Sequence, residues 1–235
     1  MGKKYVGWLL LISLAVILGA QCLSKLGSAV VAWASEQDTH CVVVIDAGHG
    51  GEDGGAISVS GIFESKINLE ISLRLNDFLH FLGIDTLMIR ETDSSVYTQG
   101  DTIAQRKVSD IRNRVNTVEN TENALLVSIH QNHFSEGKYR GAQVFYAPTQ
   151  GSEDLAKSLQ SAICTQVDPN NHREYKKAQD IYLMNHVTCP AVLIECGFLS
   201  NYEEEQLLCD AAYQKKLITA FGCCIYRYLE ASNEV

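Results

Sequence analysis

Short apolar runs alternate with longer polar segments along this chain. Three of the runs, at 42–45, 124–129 and 191–195, are nearly continuous and rich in β-branched residues, which is typical of strands buried on both faces of a sheet. Residues 84–90 and 141–147 are predicted as further strands, and 181–184 as a short one. The pattern therefore predicts about six strands.

Helical periodicity fills the segments between these strands. Apolar residues from Ile67 to Leu82 recur every three or four positions, so a helix is predicted that begins at Ser65 and ends at Gly83. Further helices are predicted at 101–120 and 152–167, two more complete the chain, and the polar residues 168–180 are predicted as an exposed loop. Strands that alternate with helices predict an α/β fold, with a single domain, a mostly parallel twisted sheet and helices on both faces.

The predicted helix at 101–120 has one apolar face, and its arginines lie mostly on the other side. Four β-branched residues repeat at helical spacing on the apolar face, and the arginines fall mostly off it. We interpret the arginines as part of a solvated surface. The apolar residues are Val108, Ile111, Val115 and Val118, and the arginines are Arg106, Arg112 and Arg114.

Residues 1–34 are predicted to direct export. Residues 5–24 carry no charge and follow Lys3 and Lys4, which is typical of a signal peptide or of an uncleaved membrane anchor. The small residues around Trp33 favour cleavage. However, 20 uncharged residues are also enough to span a bilayer, so an uncleaved membrane anchor is the alternative. Residues 35–40 are then a linker and 41–231 the folded domain.

Acidic residues dominate the charge of the exported part. Three of the 19 basic residues and none of the 28 acidic ones lie in 1–34, so the remainder has a net charge of −12. Such a surface would repel phosphate backbones and anionic lipid headgroups, which excludes a nucleic-acid-binding protein. Seven cysteines remain, an odd number without CxxC spacing, and they are predicted to be mostly free, buried thiols.

A glycine-rich loop follows the first predicted strand. It carries His49 among the glycines at positions 48, 50, 51, 54 and 55, which allow the backbone to fold tightly around whatever the imidazole binds. The alternative is a flexible turn with an incidental histidine. His130 and Glu195 likewise end strands, and open α/β sheets bind ligands at this edge. Glu64 lies at the start of the next helix. A carboxylate at that position more commonly serves to stabilise the positive end of the helix than to take part in a site.

Two imidazoles and one carboxylate form a catalytic zinc set that leaves a fourth position for water. The remaining carboxylate would be the general base, and we assign that role to Glu195, which would pass the water proton to the leaving nitrogen. Asp46, three residues before His49, could orient that imidazole. The ligands are scattered along the chain rather than clustered in an HExxH cassette.

The motifs that carry these residues resemble those of the zinc-dependent N-acetylmuramoyl-L-alanine amidases, over about residues 41–229. They are Ile-Asp-Ala-Gly-His-Gly-Gly at 45–51, Glu64 at the helix start, Ser-Ile-His-Gln-Asn at 128–132 and Ile-Glu-Cys-Gly-Phe-Leu-Ser-Asn at 194–201. The resemblance implies one catalytic Zn²⁺ held by His49, Glu64 and His130, Glu195 as the catalytic residue, and Asp46 and Asn132 as supporting residues. It also implies a peptidoglycan substrate and action outside the cytoplasm.

Within that family, the chain is similar to the germination-specific amidases of spore formers. The similarity rests on Arg-Lys-x-x-Asp-Ile-Arg-x-Arg at 106–114, on Ile-Tyr-Leu-Met-Asn at 181–185 and on the single domain. It implies a role in spore cortex maturation, through muramic lactam formation, in the cell wall or the intermembrane space of the forespore. The need for an activating protein partner stays open.

Three positions depart from the family pattern, and two other functions remain possible. The departures are Ala47, Cys196 and His133, an additional imidazole that we place at the rim of the site. A zinc carboxypeptidase or aminoacylase would need an arginine for the substrate carboxylate, and the strand-end loops near His49, His130 and Glu195 contain none. A non-catalytic peptidoglycan-binding protein would be expected to lack at least one of the four site residues.

Overall fold

The computed structural model describes residues 41–233, so the predicted export segment lies outside the described residues. Six strands form one sheet in the order β2-β1-β3-β6-β4-β5. All neighbouring pairs are parallel except β4 and β6, which confirms the predicted α/β fold with a mostly parallel sheet. The strands are β1 (Val42–Ala47), β2 (Thr86–Met88), β3 (Ala124–Asn132), β4 (Gln143–Tyr146), β5 (Lys176–Lys177) and β6 (Ala191–Phe198).

Helices cover both faces of this sheet because its central strands are apolar on both sides. In β1, Val43 and Ile45 pack into one core, whereas Val44 packs into the other, as the alternation of side chains along a strand requires. The first core includes α1, α3 and α6, and the second includes α2 and α4. The helices are α1 (Glu64–Phe81), α2 (Ile103–Glu119), α3 (Ser152–Ala162), α4 (Tyr182–His186), α5 (Tyr202–Leu208) and α6 (Ala211–Asn233).

The fifth strand is not where the sequence predicted it. Residues 182–184 instead begin α4, with Ile181 as its N-cap. Leu183 and Met184 are buried there, because a short apolar run fits a buried helical turn as well as a strand. The fifth strand is instead Lys176–Lys177, inside the predicted loop. It is a two-residue exposed edge strand that pairs with β4 alone, so it has no apolar pattern to reveal it.

The seven described cysteines are free thiols, as predicted, but only Cys196 is fully buried, and Cys209 is exposed. Among the described residues, no helix is both long enough and apolar enough to cross a membrane.

The parallel register brings the carboxyl ends of three central strands together. Ala47 pairs with Ile129 on β3, and His130 pairs with Glu195 on β6. The glycine-rich loop leaves β1 at this edge, and α1 begins beside it, because the Glu64 amide donates to the Ala56 carbonyl at 2.8 Å. Residues that are far apart in the chain therefore meet at one edge of the sheet.

Candidate metal centre

His49, Glu64 and His130 converge at this edge. One nitrogen or oxygen atom from each lies within 4.8 Å of the others. His49 Nε2 is 3.3 Å from one oxygen of Glu64, and His130 Nδ1 is 3.1 Å from the other. Two imidazoles and a carboxylate at this separation could hold a metal ion, and their donor chemistry suits zinc.

Two glycines make this convergence possible. A Cβ at Gly48 would lie 2.2 Å from the His130 ring, and one at Gly55 would lie 2.6 Å from a Glu64 oxygen. Gly55 also has a positive φ of 68°. The glycine content of the loop is therefore a steric requirement of the site rather than a mark of a flexible turn.

Glu64 is a buried carboxylate with hydrogen bonds to both oxygens. One oxygen accepts from the Ala56 amide at 2.9 Å, and the other accepts from the Gln131 amide at 3.1 Å and the Asn68 side chain at 3.2 Å. Burial alone would raise the pKa of Glu64, but the hydrogen bonds and charges of His130 and His49 outweigh it and hold the pKa well below its usual range. Glu64 is thus kept ionised.

His49 is oriented by Asp53, not by Asp46 as the sequence suggested. Asp53 Oδ2 lies 2.8 Å from His49 Nδ1, and its other oxygen accepts from Lys107 Nζ at 2.7 Å. Burial would lower the pKa of His49, but the bonds to Asp53 and Glu64 raise it to about 9. Asp53 therefore leaves the Nε2 edge of the ring facing Glu64.

Asp46 is bound to a different partner. It forms an ion pair with Arg114 and accepts a hydrogen bond from Ser128 Oγ at 2.7 Å. Arg114 also donates to the carbonyls of Ala47 at 3.0 Å and His49 at 2.7 Å. Asp46 thus acts on the backbone of the loop through Arg114, and it makes no hydrogen bond to the His49 ring within the described part of the chain.

The prediction that the arginines of α2 lie on a solvated surface is wrong for Arg114. Its residue is only 2% exposed, because its side chain reaches under the sheet edge to the loop. One of the two carbonyls that it binds belongs to His49, whose φ of 62° is uncommon for a residue with a side chain. Arg114 therefore helps to hold the backbone that presents His49.

Arg90 is a second buried arginine that the sequence analysis missed. It follows β2 and donates to the carbonyls of Ala47 at 2.8 Å, Gly48 at 3.0 Å and Ser65 at 2.8 Å. It thereby ties the glycine loop to the start of α1. Its sequence offers one signal, a charged residue at the end of a predicted strand, but that signal does not specify which carbonyls it binds.

Glu195 is a partly buried residue, and one of its carboxylate oxygens has no partner in the described part of the chain. Its Oε2 is buried and has no hydrogen-bond partner among the described residues, so Glu195 is not explained as half of a structural pair with an arginine or a backbone amide. Burial raises the pKa of Glu195 to about 7, and the negative charge of Glu64 adds to this effect against the opposing influence of the two histidines. An unpartnered carboxylate beside a metal-binding group is suited to exchange a proton with a ligand.

Asn132 and His133 lie beyond this group. The Asn132 side chain accepts from the His133 amide at 2.8 Å, the one side-chain hydrogen bond that it makes within the described residues. His133 is exposed and is not one of the three converging residues. Any support that Asn132 gives to the site therefore passes through the backbone after His130.

Comparisons with known proteins agree with this geometry. Residues 43–225 match the protein family described as N-acetylmuramoyl-L-alanine amidase, a span that includes all four site residues. The germination-specific N-acetylmuramoyl-L-alanine amidase of Bacillus subtilis (strain 168) is 37% identical over 195 residues, which are 82% of this chain and 81% of that relative.

Two solved structures are also similar. The CwlD amidase from Clostridioides difficile, in complex with the GerS lipoprotein, has a TM-score of 0.78 and 40% identity, and the match covers 81% of this chain and 99% of that one. An N-acetylmuramoyl-L-alanine amidase from Clostridium difficile 630 has a TM-score of 0.72 and 29% identity, and the match covers 82% and 98% of the two chains.

Proposed function

This chain belongs to the N-acetylmuramoyl-L-alanine amidase family, and from that premise we propose that it cleaves the amide between N-acetylmuramic acid and L-alanine in peptidoglycan with one zinc ion. The observation that carries the proposal is the convergence of His49, Glu64 and His130 beside the unpartnered Glu195 oxygen. The first three residues would hold the ion. When bound, zinc supplies a Lewis acid that polarises the scissile carbonyl and lowers the pKa of water.

Glu195 is the general base in this proposal. Its Oε2 has no hydrogen-bond partner of its own in the described structure, so it is free to accept a proton from the attacking water and return it to the leaving nitrogen. Glu64 does not fit this role, because it would be a ligand and three donor groups already bind its two oxygens: the Ala56 and Gln131 amides and the Asn68 side chain. Asp53 holds His49 in one orientation throughout.

A zinc carboxypeptidase fits the site less well. It would need a free cation for the terminal carboxylate of its substrate. The two arginines that bind the His49 loop, Arg90 and Arg114, are buried and their guanidinium groups are occupied by carbonyls and carboxylates.

Product analysis tests the reaction. Purified enzyme is incubated with peptidoglycan, with and without a chelator, and the fragments are identified by mass. An amidase exposes the amino group of L-alanine, a carboxypeptidase releases D-alanine, and a binding protein releases nothing. Loss of the L-alanine product with chelator, and its return with Zn²⁺, is the expected result; activity that survives complete metal removal would contradict the zinc assignment.

Metal binding is tested separately with His49→Ala and His130→Ala. Each should lose zinc and activity together, because two protein ligands rarely hold the ion against water. Zinc content is measured by mass spectrometry after dialysis, and unchanged content in both variants would rule out these ligands.

The cellular role that we propose is maturation of the spore cortex. It is supported by the 37% identity to a germination-specific amidase. A deletion strain should form spores whose cortex lacks muramic lactam and which germinate poorly, as measured by muropeptide analysis. Normal lactam content would instead favour a role in wall turnover.

Export and a partner belong to the same proposal. Residues 1–34 would export the catalytic domain at 41–231 or tether it to the membrane through 5–24, which places it in the wall or between the forespore membranes. A similar amidase was solved with a lipoprotein, so a lipoprotein is the class of partner to seek here. Co-purification from sporulating cells tests it, and recovery of the amidase alone would count against an obligatory partner.

A further inference from the structure

Asn68 is a fully buried polar side chain directly beneath the metal centre. It is 0% exposed and lies four residues after Glu64 on α1, so the two side chains share one face of the helix. An amide in such a position is costly to bury unless its donors and acceptor are bonded. No role was predicted for it from the sequence.

Each hydrogen bond of Asn68 goes to a different segment of the site. Its Nδ2 donates to Glu64 itself at 3.2 Å and to the Gly48 carbonyl at 3.1 Å, and its Oδ1 accepts from Gln131 Nε2 at 3.1 Å. Gly48 directly precedes His49, and Gln131 directly follows His130. One amide therefore connects the three segments that carry the three candidate ligands.

Of Asn68, Gln131 and Arg90, Asn68 is the one whose hydrogen bonds reach all three ligand segments. Gln131 bonds to Glu64 through its backbone and to Asn68 through its side chain, but its own Oε1 has no described partner. Arg90 binds the Gly48 carbonyl and the start of α1 without reaching β3. The separation of the three ligand segments thus depends on the Asn68 side chain more than on either neighbour.

We propose that Asn68 is a positioning residue that sets the relative placement of His49, Glu64 and His130 and thereby the affinity for the metal ion. This inference rests on the proposed function, in which those three residues hold zinc. Without the amide, the carboxylate of Glu64 would lose one of the donors that fix its plane. The two flanking segments would also lose their common link.

Zinc affinity of Asn68→Leu tests the proposal, because leucine has the same branched arrangement of side-chain heavy atoms as asparagine but cannot form the three bonds. The dissociation constant, measured by chelator competition on the purified enzyme, should rise by about 10- to 100-fold, the usual effect of removing a group that orients a ligand. The cobalt(II) absorption spectrum should also change, since it reports ligand geometry. Asn68→Asp, which keeps the shape but loses the donor to Glu64, should weaken zinc binding as well.

Ser72→Ala is the matched control. Ser72 is also polar and 0% exposed, lies one turn further along the same face of α1, and has no described hydrogen-bond partner for its hydroxyl. Its zinc affinity and cobalt spectrum should match those of the wild type. Circular dichroism of the metal-free proteins shows whether each variant folds. If Asn68→Leu does not fold, Gln131→Met takes its place, because it removes the side-chain donor to Asn68.

The outcomes separate this inference from the function on which it rests. If the wild type and Ser72→Ala bind zinc and His49→Ala does not, the proposed ligand set is supported. Under those conditions, folded Asn68 variants with unchanged affinity and spectrum would overturn the positioning role alone. Zinc affinity in His49→Ala equal to that of the wild type would instead overturn the proposed ligand set.

Discussion

Glu64 and Glu195 have the same chemistry but opposite surroundings. Donors surround both oxygens of Glu64 and keep it ionised, whereas Glu195 retains an oxygen without a partner and its pKa is raised to about 7. A carboxylate fixed by donors is suited to be a ligand, and a carboxylate with a free oxygen is suited to move a proton. The environments therefore divide the two roles that side-chain type alone leaves open.

Substitution of each glutamate by glutamine tests this division. Glu195→Gln should retain zinc and the fold, while activity falls by about 10²-fold or more, because the proton acceptor is lost. Glu64→Gln should instead lower the zinc content, because a neutral amide is a poorer ligand than a carboxylate. Zinc content and turnover are measured on the same preparations; loss of zinc from Glu195→Gln, or its near-normal turnover, would contradict the assignment.

The loop at 57–63 leads directly into α1 and its first residue, Glu64. Its Ile57, Val59 and Phe63 are more than half exposed, whereas Ser58 is buried and donates to Glu205 on α5 at 2.6 Å. Glu205 also accepts from the Ser60 amide at 2.9 Å. A buried carboxylate thus holds the loop with its apolar side chains outward.

We expect Glu205→Ala to free this loop from α5. The Ser60 amide should exchange with deuterium about 10- to 100-fold faster, because a hydrogen bond to a charged group contributes about 1.5–3 kcal/mol. Hydrogen exchange followed by mass spectrometry measures the change in the peptide that contains Ser60. Glu203→Ala, at an exposed position of the same helix, is the control, and equal exchange in both variants would show that Glu205 does not anchor the loop.

At the scale of the whole molecule, Asp46 and Arg114 join the sheet edge to α2. Burial would raise the pKa of Asp46, but Arg114, His130 and Ser128 together lower it below the ordinary value of 3.8. A carboxyl group whose pKa is lower in the folded protein than in the unfolded chain stabilises the folded protein when the pH is above the pKa of the unfolded chain. That stabilisation is lost as the pH falls through the folded pKa.

The free energy of unfolding should therefore decrease as the pH falls below about 4, and less steeply in Asp46→Asn. At neutral pH, Asp46→Asn should be destabilised by about 1.5–3 kcal/mol, because Arg114 loses one of its two carboxylate partners and keeps Asp110. Urea unfolding at pH 7 and pH 3 measures both effects, and the exposed Asp77→Asn controls for the loss of one negative charge. Equal pH dependence in wild type and Asp46→Asn would exclude this contribution.

The amino-acid sequence alone predicts the class of fold and the residues that carry the chemistry. Apolar runs report burial directly, so five of the six strands and the parallel α/β arrangement follow from them. The glycine loop and the polar residues at strand ends singled out His49, His130 and Glu195, because a parallel sheet brings such ends to one edge. The edge strand Lys176–Lys177 escaped prediction, since its polar residues form no periodic pattern.

The polar groups that bind one another are set by tertiary packing and could not be predicted from the sequence. Asp53 rather than Asp46 orients His49, Arg114 is buried rather than solvated, and Asn68 links the three ligand segments. These choices depend on contacts such as Arg114 to Asp46, which joins residues 68 positions apart. Hydrophobic periodicity reports whether a side chain is buried, but a hydrogen bond depends on distance and direction between atoms, which the packing of whole elements sets.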